Sequence, residues 1–269
     1  MHSHHSHSGQ FCKHAAGLLE NVVLEAIRQG FEVYGLTEHV PRYRDQDLYP
    51  EEVSCRSDYP RYMLIQQRQV DLPLEALSHQ FDNFLDEAER LKALYASRIT
   101  LLVGLETEFI TAADLDGLEQ LLEKHDRRIE YIVGSIHHVN AIPIDFDLPT
   151  FHLALNSFPA DTADKVNEQR GQFLSAYLDA QYELLRRFRP EIVGHIDLCR
   201  MYTPGLRFSD FPDAFERLER NVRFAISYGA LFEANAAAFR KGWDTAYPGV
   251  DILKASIPIA FHYPLSFHL

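Results

Sequence analysis

Apolar residues recur along this chain in two alternating periods. Leu18, Val22, Ala26 and Ile27 fall at helical spacing, and Gly30 stands where a helix C-cap belongs. The run Phe31–Thr37 is short, apolar and of strand length, and it ends in Glu38 and His39. The same order then returns. Phe81, Phe84, Leu85, Ala88, Leu91 and Tyr95 mark an amphipathic helix. It feeds Ile99–Leu105, a nearly continuous apolar run expected of a strand buried on both faces, and Glu106 and Glu108 follow at once. Leu115, Leu118 and Leu122 give a short helix before the strand Tyr131–Ile136, which ends in His137 and His138. Phe173, Tyr177, Leu184 and Phe188 share one face of a long helix that Pro190 stops. Glu191–Leu198 is the next strand, carrying His195 and Asp197. A helix with Phe211, Phe215, Leu218 and Val222 then precedes a last strand, Ala230–Asn235. Residues 41–78, with Pro41, Pro50, Pro60 and Pro73, read as a polar excursion that could serve as a lid, and residues 140–162 read as irregular.

Strands alternating with helices predict an α/β fold around a parallel sheet, either a barrel or an open doubly wound sheet, in one domain over residues 1–269 without internal repeats. In both architectures function gathers at the C-terminal ends of the strands. His39, Glu106, His137 and His195 all fall at such ends. One histidine there is ordinarily a hydrogen-bonded structural residue, and one glutamate ordinarily a helix N-terminal charge. Four strand ends carrying ligand-type residues together predict a metal site.

The N-terminus adds His2, His4, His5, His7 and His14. In an extended segment residues i and i+2 share a face, so His5 and His7 can aim both imidazoles at one point. Taken alone, this tract also suits a purification tag or a solvated histidine run. Imidazoles with a carboxylate suit zinc, manganese or iron better than magnesium or calcium. More ligands are present than one tetrahedral ion takes, which predicts two or three divalent ions with Glu106 as a bridge. Such clusters activate water and clamp an in-line displacement at phosphorus.

A formal net charge of −13 argues against binding the phosphate backbone of nucleic acid, because no basic surplus is available to release counterions. The three cysteines Cys12, Cys55 and Cys199 are too scattered for a disulfide framework, which suits a reducing compartment. No stretch of about eighteen apolar residues predicts a membrane helix. The expected location is the cytoplasm, and the expected partner a small molecule rather than a nucleic acid or a membrane.

The ordered pieces His5-Ser-His7, Phe11-Cys-Lys-His14, Thr37-Glu-His39, Gly104-Leu-Glu106, Gly134-Ser-Ile-His137 and Gly194-His195-Ile-Asp197-Leu resemble the polymerase-and-histidinol-phosphatase (PHP) superfamily. Within it they resemble the histidinol-phosphate phosphatases, fungal forms in particular. Asn235, Arg240 and Tyr247-Pro248 extend a looser likeness to about residue 248. The resemblance implies a distorted (β/α)7 TIM-like barrel, the PHP fold, around two or three metal ions. It also implies hydrolysis of L-histidinol phosphate to L-histidinol and phosphate in histidine biosynthesis. Carried over by position, His5, His7, His14, His39, Glu106, His137 and His195 match metal ligands, with a metal-bound hydroxide held by His5, His7 and Glu106. Glu38 and Asp197 would orient imidazoles, Arg200 and Arg240 would hold the substrate phosphate, and His138 would be structural.

One departure stands beside these matches. The resemblance implies a last strand ending in Asp-x-His and a closing helical segment, and residues 249–269 contain no Asp-x-His. His262 and His268 lie in that zone without a partnering aspartate, and Pro258 and Pro264 interrupt strand pairing. The expectation is therefore a barrel lacking its last strand and closing segment. Two explanations are open: a tail read from a wrong frame or an unspliced intron, which the abrupt end of the likeness favours, or a truncated variant with a weakened site. The rival functions are an inactive or regulatory metal-binding pseudoenzyme and another PHP-type phosphoesterase. Oligomeric state has no sequence signal.

Overall fold

The computed structural model describes residues 1–49, 52, 73–161 and 163–254. The helix expected after His14 is α1 (Leu19–Arg28), with Leu19, Val23 and Ala26 buried. Gly30, at φ 80°, takes the left-handed conformation that ends it, one that a side chain would strain. The chain divides into two compact units, one of Met1–Leu105 with Gly117–Glu130, the other of Glu106–Asp116 with Tyr131–Leu269.

In the first unit, β1 (His2–Ser3) pairs in parallel with β2 (Val33–His39), and β3 (Thr100–Glu106) follows β2 in strand order. Thr100 N donates to Glu32 O at 2.9 Å, which sets the start of β3 against β2. Helix α2 (Pro73–Leu94) buries Phe81, Phe84, Leu85, Ala88 and Leu91, the stripe read from the sequence, and Leu101, Val103 and Leu105 of β3 are buried as well. Each of these Phe, Leu and Val side chains contributes about 1.5–3 kcal/mol on leaving water. Helix α3 (Ala112–Lys124) starts in the second unit and ends in the first.

In the second unit β4 (Tyr131–Gly134) is followed by two elements in the stretch expected to be irregular. The first is a hairpin of β5 (His138–Val139) and β6 (Ile142–Pro143), turned by Asn140 and Ala141 at φ 51° and 59°. Two successive left-handed residues match the right-handed twist of the hairpin. The second is α4 (Leu148–Asn156), capped by the Asp147 side chain, which accepts from Thr150 N at 2.7 Å. The long helix is α5 (Lys165–Phe188), and Arg189 ends it in the left-handed conformation. The next strand is much shorter than expected: β7 covers only Ile192–Val193, and Leu198–Arg200 turns into a 3-10 helix. Helix α6 (Pro212–Ser227) and β8 (Leu231–Phe232) follow, with the parallel order β4-β7-β8, and the short α7 (Ala237–Arg240) lies beyond.

The central part of the 41–78 excursion, and the tail with His262 and His268, lie outside the described residues. Among the described residues no helix is long and apolar enough to cross a membrane.

Candidate metal centre

In the first unit Ser6 locks the N-terminal segment to β2. Its backbone N donates to Thr37 Oγ1 at 3.0 Å, its hydroxyl to Gly35 O at 2.7 Å, and its carbonyl accepts from Thr37 N at 3.2 Å. With Ser6 pinned, His5 and His7 turn to one side, and their Nε2 atoms stand 3.1 Å apart. Glu38 Oε2 lies 3.2 Å from His7 Nδ1, while Glu38 Oε1 accepts from Ser8 N at 2.9 Å and Ser8 Oγ at 2.7 Å. A carboxylate at Nδ1 keeps the proton on that side and leaves the Nε2 lone pair for a cation. His39, the last residue of β2, stacks on His7 with ring centroids 4.5 Å apart, and the His14 ring is 5.5 Å from that of His39. Cys12 joins them: its Sγ is 3.0 Å from His14 Nε2, and donor atoms of His7, Cys12 and His39 all lie within 4.8 Å of one another. His2 stands 3.5 Å from Glu32 instead.

The second unit builds its own donor set from three strand ends. Thr107 N donates to Val133 O at 3.0 Å, and Ser135 N donates to Thr107 Oγ1 at 2.8 Å, so the chain after Glu106 runs beside the approach to His137. Gly194 is required for the third strand to come close, because a Cβ there would sit 2.4 Å from Ser135 Oγ and 3.0 Å from Val133 Cγ1. Glu106 Oε1 then lies 3.3 Å from His137 Nε2 and 3.1 Å from His195 Nε2. All three side chains are buried, with 1, 4 and 7 % of Glu106, His137 and His195 exposed. Glu108 stands behind them, its Oε1 3.3 Å from His137 Nδ1 and 3.0 Å from His138 Nδ1. Burial alone would push the His137 pKa down, but the Glu108 and Glu106 carboxylates outweigh it and hold it well above the ordinary value. Burial likewise opposes ionisation of Glu108, and the two histidines overcome it, so that its carboxyl falls well below the usual range.

Sequence reasoning missed Cys12 and Glu108 as members of these clusters. The signal for Glu108 was present in its i+2 relation to Glu106. Cys12 sits inside the Phe11-Cys-Lys-His14 piece, but nothing in a single thiol marks it as a neighbour of three imidazoles. A further carboxylate, Glu233, accepts from His195 N at 2.9 Å and from Asn235 Nδ2 at 2.9 Å, bracing the backbone of that ligand candidate.

Three expected roles meet different surroundings. Asp197 was expected to orient an imidazole; its Oδ2 instead accepts from Arg200 Nε at 3.0 Å, Arg200 Nη2 at 2.8 Å and Gly249 N at 2.9 Å. Arg200 was expected to hold substrate phosphate. Its Nη2 also donates to Asp251 Oδ1 at 2.8 Å, and its Nη1 to Asp251 Oδ2 at 2.9 Å and Leu206 O at 2.9 Å. A guanidinium has five N–H donors, and all are taken here, so a phosphate could bind only by breaking this buried network. Arg240, the other expected phosphate ligand, is exposed at the end of α7.

The donor chemistry fits divalent cations. In each unit imidazole Nε2 atoms converge with their Nδ1 side held by a carboxylate, at His7 through Glu38 and at His137 through Glu108. A mixed nitrogen and carboxylate set of this kind suits zinc, manganese or iron.

The PHP domain family matches residues 3–237. The chain is 40% identical to an inferred histidinol-phosphatase of Schizosaccharomyces pombe over 95% of its own length and 76% of that protein's. It is 32% identical to the histidinol-phosphatase of Saccharomyces cerevisiae over 92% and 76% of the two lengths. A solved structure of a candidate histidinol phosphatase from Listeria monocytogenes superposes with a TM-score of 0.69 at 19% identity, covering 98% of this chain and 93% of that one. A second, from Lactococcus lactis, was solved with zinc, L-histidinol and phosphate; it gives a TM-score of 0.53 at 19% identity over 87% and 72% of the chains. These likenesses fit the α/β, distorted TIM-like barrel that the sequence motifs imply. The chain belongs to the PHP domain family, among its histidinol-phosphatases.

Proposed function

We propose that this chain hydrolyses L-histidinol phosphate to L-histidinol and phosphate, a step of histidine biosynthesis, and that it does so with bound divalent ions. The observation that carries the reading is the buried trio Glu106, His137 and His195, set within a chain 40% identical to a histidinol-phosphatase over 95% of its length. The zinc, L-histidinol and phosphate of the Lactococcus lactis structure support the same chemistry. Residues 1–269 act as one PHP domain in this reading, although they fold as two units.

The ligands we assign are His5, His7, His14 and His39 from the first unit, and Glu106, His137 and His195 from the second. They would hold two or three ions, with zinc the first choice. When bound, such ions lower the pKa of water and neutralise phosphoryl oxygens. The protein's own part is positional. Glu38 and Glu108 fix the tautomers of His7 and His137 and prevent the rings from turning away. Glu106 presents one oxygen to two imidazoles at once. Burial keeps competing water from these groups and strengthens every charge interaction among them. The ions would neutralise the substrate phosphate, since the donors of Arg200 are committed within the protein. The cytoplasm is the compartment we assign, in keeping with Cys12 and Cys199, which are not joined in a disulfide.

The test is phosphate release from L-histidinol phosphate with zinc or manganese, comparing wild type with His137→Ala. We expect the variant to lose at least ~100-fold, the scale on which ligand-shell changes act. Equal rates in the two proteins overturn the assignment.

A further inference from the structure

Beside His137 and His195, the second unit gathers acidic and phenolic side chains that the donor set does not use. The β5–β6 hairpin carries the chain back to its start, so that Ile144 N donates to His137 O at 2.9 Å and Asp145 comes next in line. Asp197 follows His195 by two residues, and the Tyr177 hydroxyl reaches His195 O at 3.5 Å. Tyr247 is held by paired backbone bonds to Asn235, at 2.8 and 3.0 Å, and by an edge-on Trp243 ring 5.0 Å away. Burial raises the pKa of the Tyr247 phenol, and the Asp197 and Asp145 carboxylates push it the same way; burial and Asp145 act likewise on Tyr202. Gly249, two residues after Tyr247, donates to Asp197 Oδ2 at 2.9 Å, which brings the Tyr247 segment to Asp197, and the Asp145 carboxylate acts on both phenols, so Asp145, Asp197, Tyr202 and Tyr247 occupy one neighbourhood.

Three polar atoms of that neighbourhood, Asp145 Oδ1, Asp197 Oδ1 and Tyr247 Oη, are buried and have no hydrogen-bond partner among the described residues. Tyr247 is 1 % exposed and Asp197 0 %. Natural proteins seldom leave such groups unsatisfied, and each is a request for an explanation. Asp145 and Tyr202 are only part-buried, so the neighbourhood opens toward solvent at those two residues. Arg200 does not satisfy it, because its donors are already shared between Asp197 Oδ2, Asp251 and Leu206. A group that suits two carboxylate oxygens and a phenol donates hydrogen bonds, and a positive charge strengthens its attraction to the carboxylates. A phosphate is repelled there.

We infer that Asp145, Tyr202 and Tyr247, with Asp197 Oδ1 as a fixed acceptor, bind the cationic organic end of the substrate, a primary ammonium or an imidazolium, next to the donor set that takes its phosphate. This deepens the reading above and rests on it, since L-histidinol phosphate carries both an amine and an imidazole. It assigns selectivity to the segment that follows β6 rather than to the metal ligands. Asp145 is the residue on which that selectivity depends most, because among the described residues Asp197 is paired with Arg200 and Asp145 with no arginine.

The experiment compares kcat/KM of the metal-loaded chain for L-histidinol phosphate and for p-nitrophenyl phosphate, which has no cation, in wild type, Asp145→Asn and Tyr247→Phe. Metal content and thermal unfolding of each variant serve as folding checks. The expected result is a fall of about 10- to 100-fold in the selectivity ratio for Asp145→Asn, carried mainly by KM, and a smaller fall for Tyr247→Phe. Equal losses on both esters, or no change on either, overturn the inference. So does a wild type that shows no preference between the esters, which leaves the phosphatase reading intact. If wild type cleaves neither ester, that reading falls, and titration of the loaded protein with L-histidinol decides the inference separately. Binding weakened at least tenfold by Asp145→Asn sustains it, and no binding, or equal binding, overturns it.

Discussion

At the level of single residues, the site separates groups that present a lone pair from groups that hold them in place. His5, His7, Glu106, His137 and His195 were legible because each stands at a strand end or in an i, i+2 pair, positions that chemistry favours. Asp197 was read as a carboxylate that orients an imidazole and not as the partner of Arg200, because the pairing depends on a turn of 3-10 helix where a strand was expected. The Asp197–Arg200 pair sits at 0 and 2 % side-chain exposure. Removing the arginine leaves the aspartate buried and without its counter-charge. Arg200→Met should therefore destabilise the protein by about 3–5 kcal/mol, read as a lower urea midpoint, where a phosphate-binding surface arginine would cost almost nothing. An unchanged midpoint contradicts the structural place given to Arg200.

At the level of elements, the helices were read well and the later strands poorly. Phe84, Leu85, Ala88 and Leu91 on α2 are buried as their spacing requires, whereas on α1 the stripe was read one residue off: Leu19, Val23 and Ala26 are buried, and Leu18 is exposed. The strand expected over Glu191–Leu198 pairs only at Ile192–Val193, because His195 N turns to Glu233 and the chain then coils toward Arg200. Helix α4 was missed, although Asp147 before Leu148-Pro149 is an N-cap signal followed by a proline that the first helical turn tolerates. The approach of β7 to β4 depends on Gly194, where a methyl group would collide with Ser135 and Val133. Gly194→Ala is expected to cost about 1–3 kcal/mol and to reduce the metal retained per chain, because His195 is the next residue. Gly205→Ala, where no atom lies within 4 Å of the added Cβ, should change neither quantity. Parallel behaviour of the two variants in urea unfolding and metal analysis would count against a steric role for Gly194.

At the level of the whole molecule, the fold class followed from the alternation of periods, and the family from six ordered motifs that span both units. The division into two interleaved units did not follow, because the chain changes unit inside continuous elements, between Leu105 and Glu106 at the end of β3 and between Asp116 and Gly117 within α3. No break in composition marks those points. An acidic chain of net charge −13 that acts on a phosphate ester needs a local positive field, and Arg200, five residues after His195, is engaged with Asp197 and Asp251. Divalent ions on the histidine and glutamate donors would supply that field. Phosphate release from L-histidinol phosphate by the purified chain, followed before chelation, after complete metal removal and after zinc or manganese is restored, tests this most directly. The prediction is activity that disappears on removal and returns on restoration; release that persists in the metal-free protein, or is absent in all three states, contradicts it.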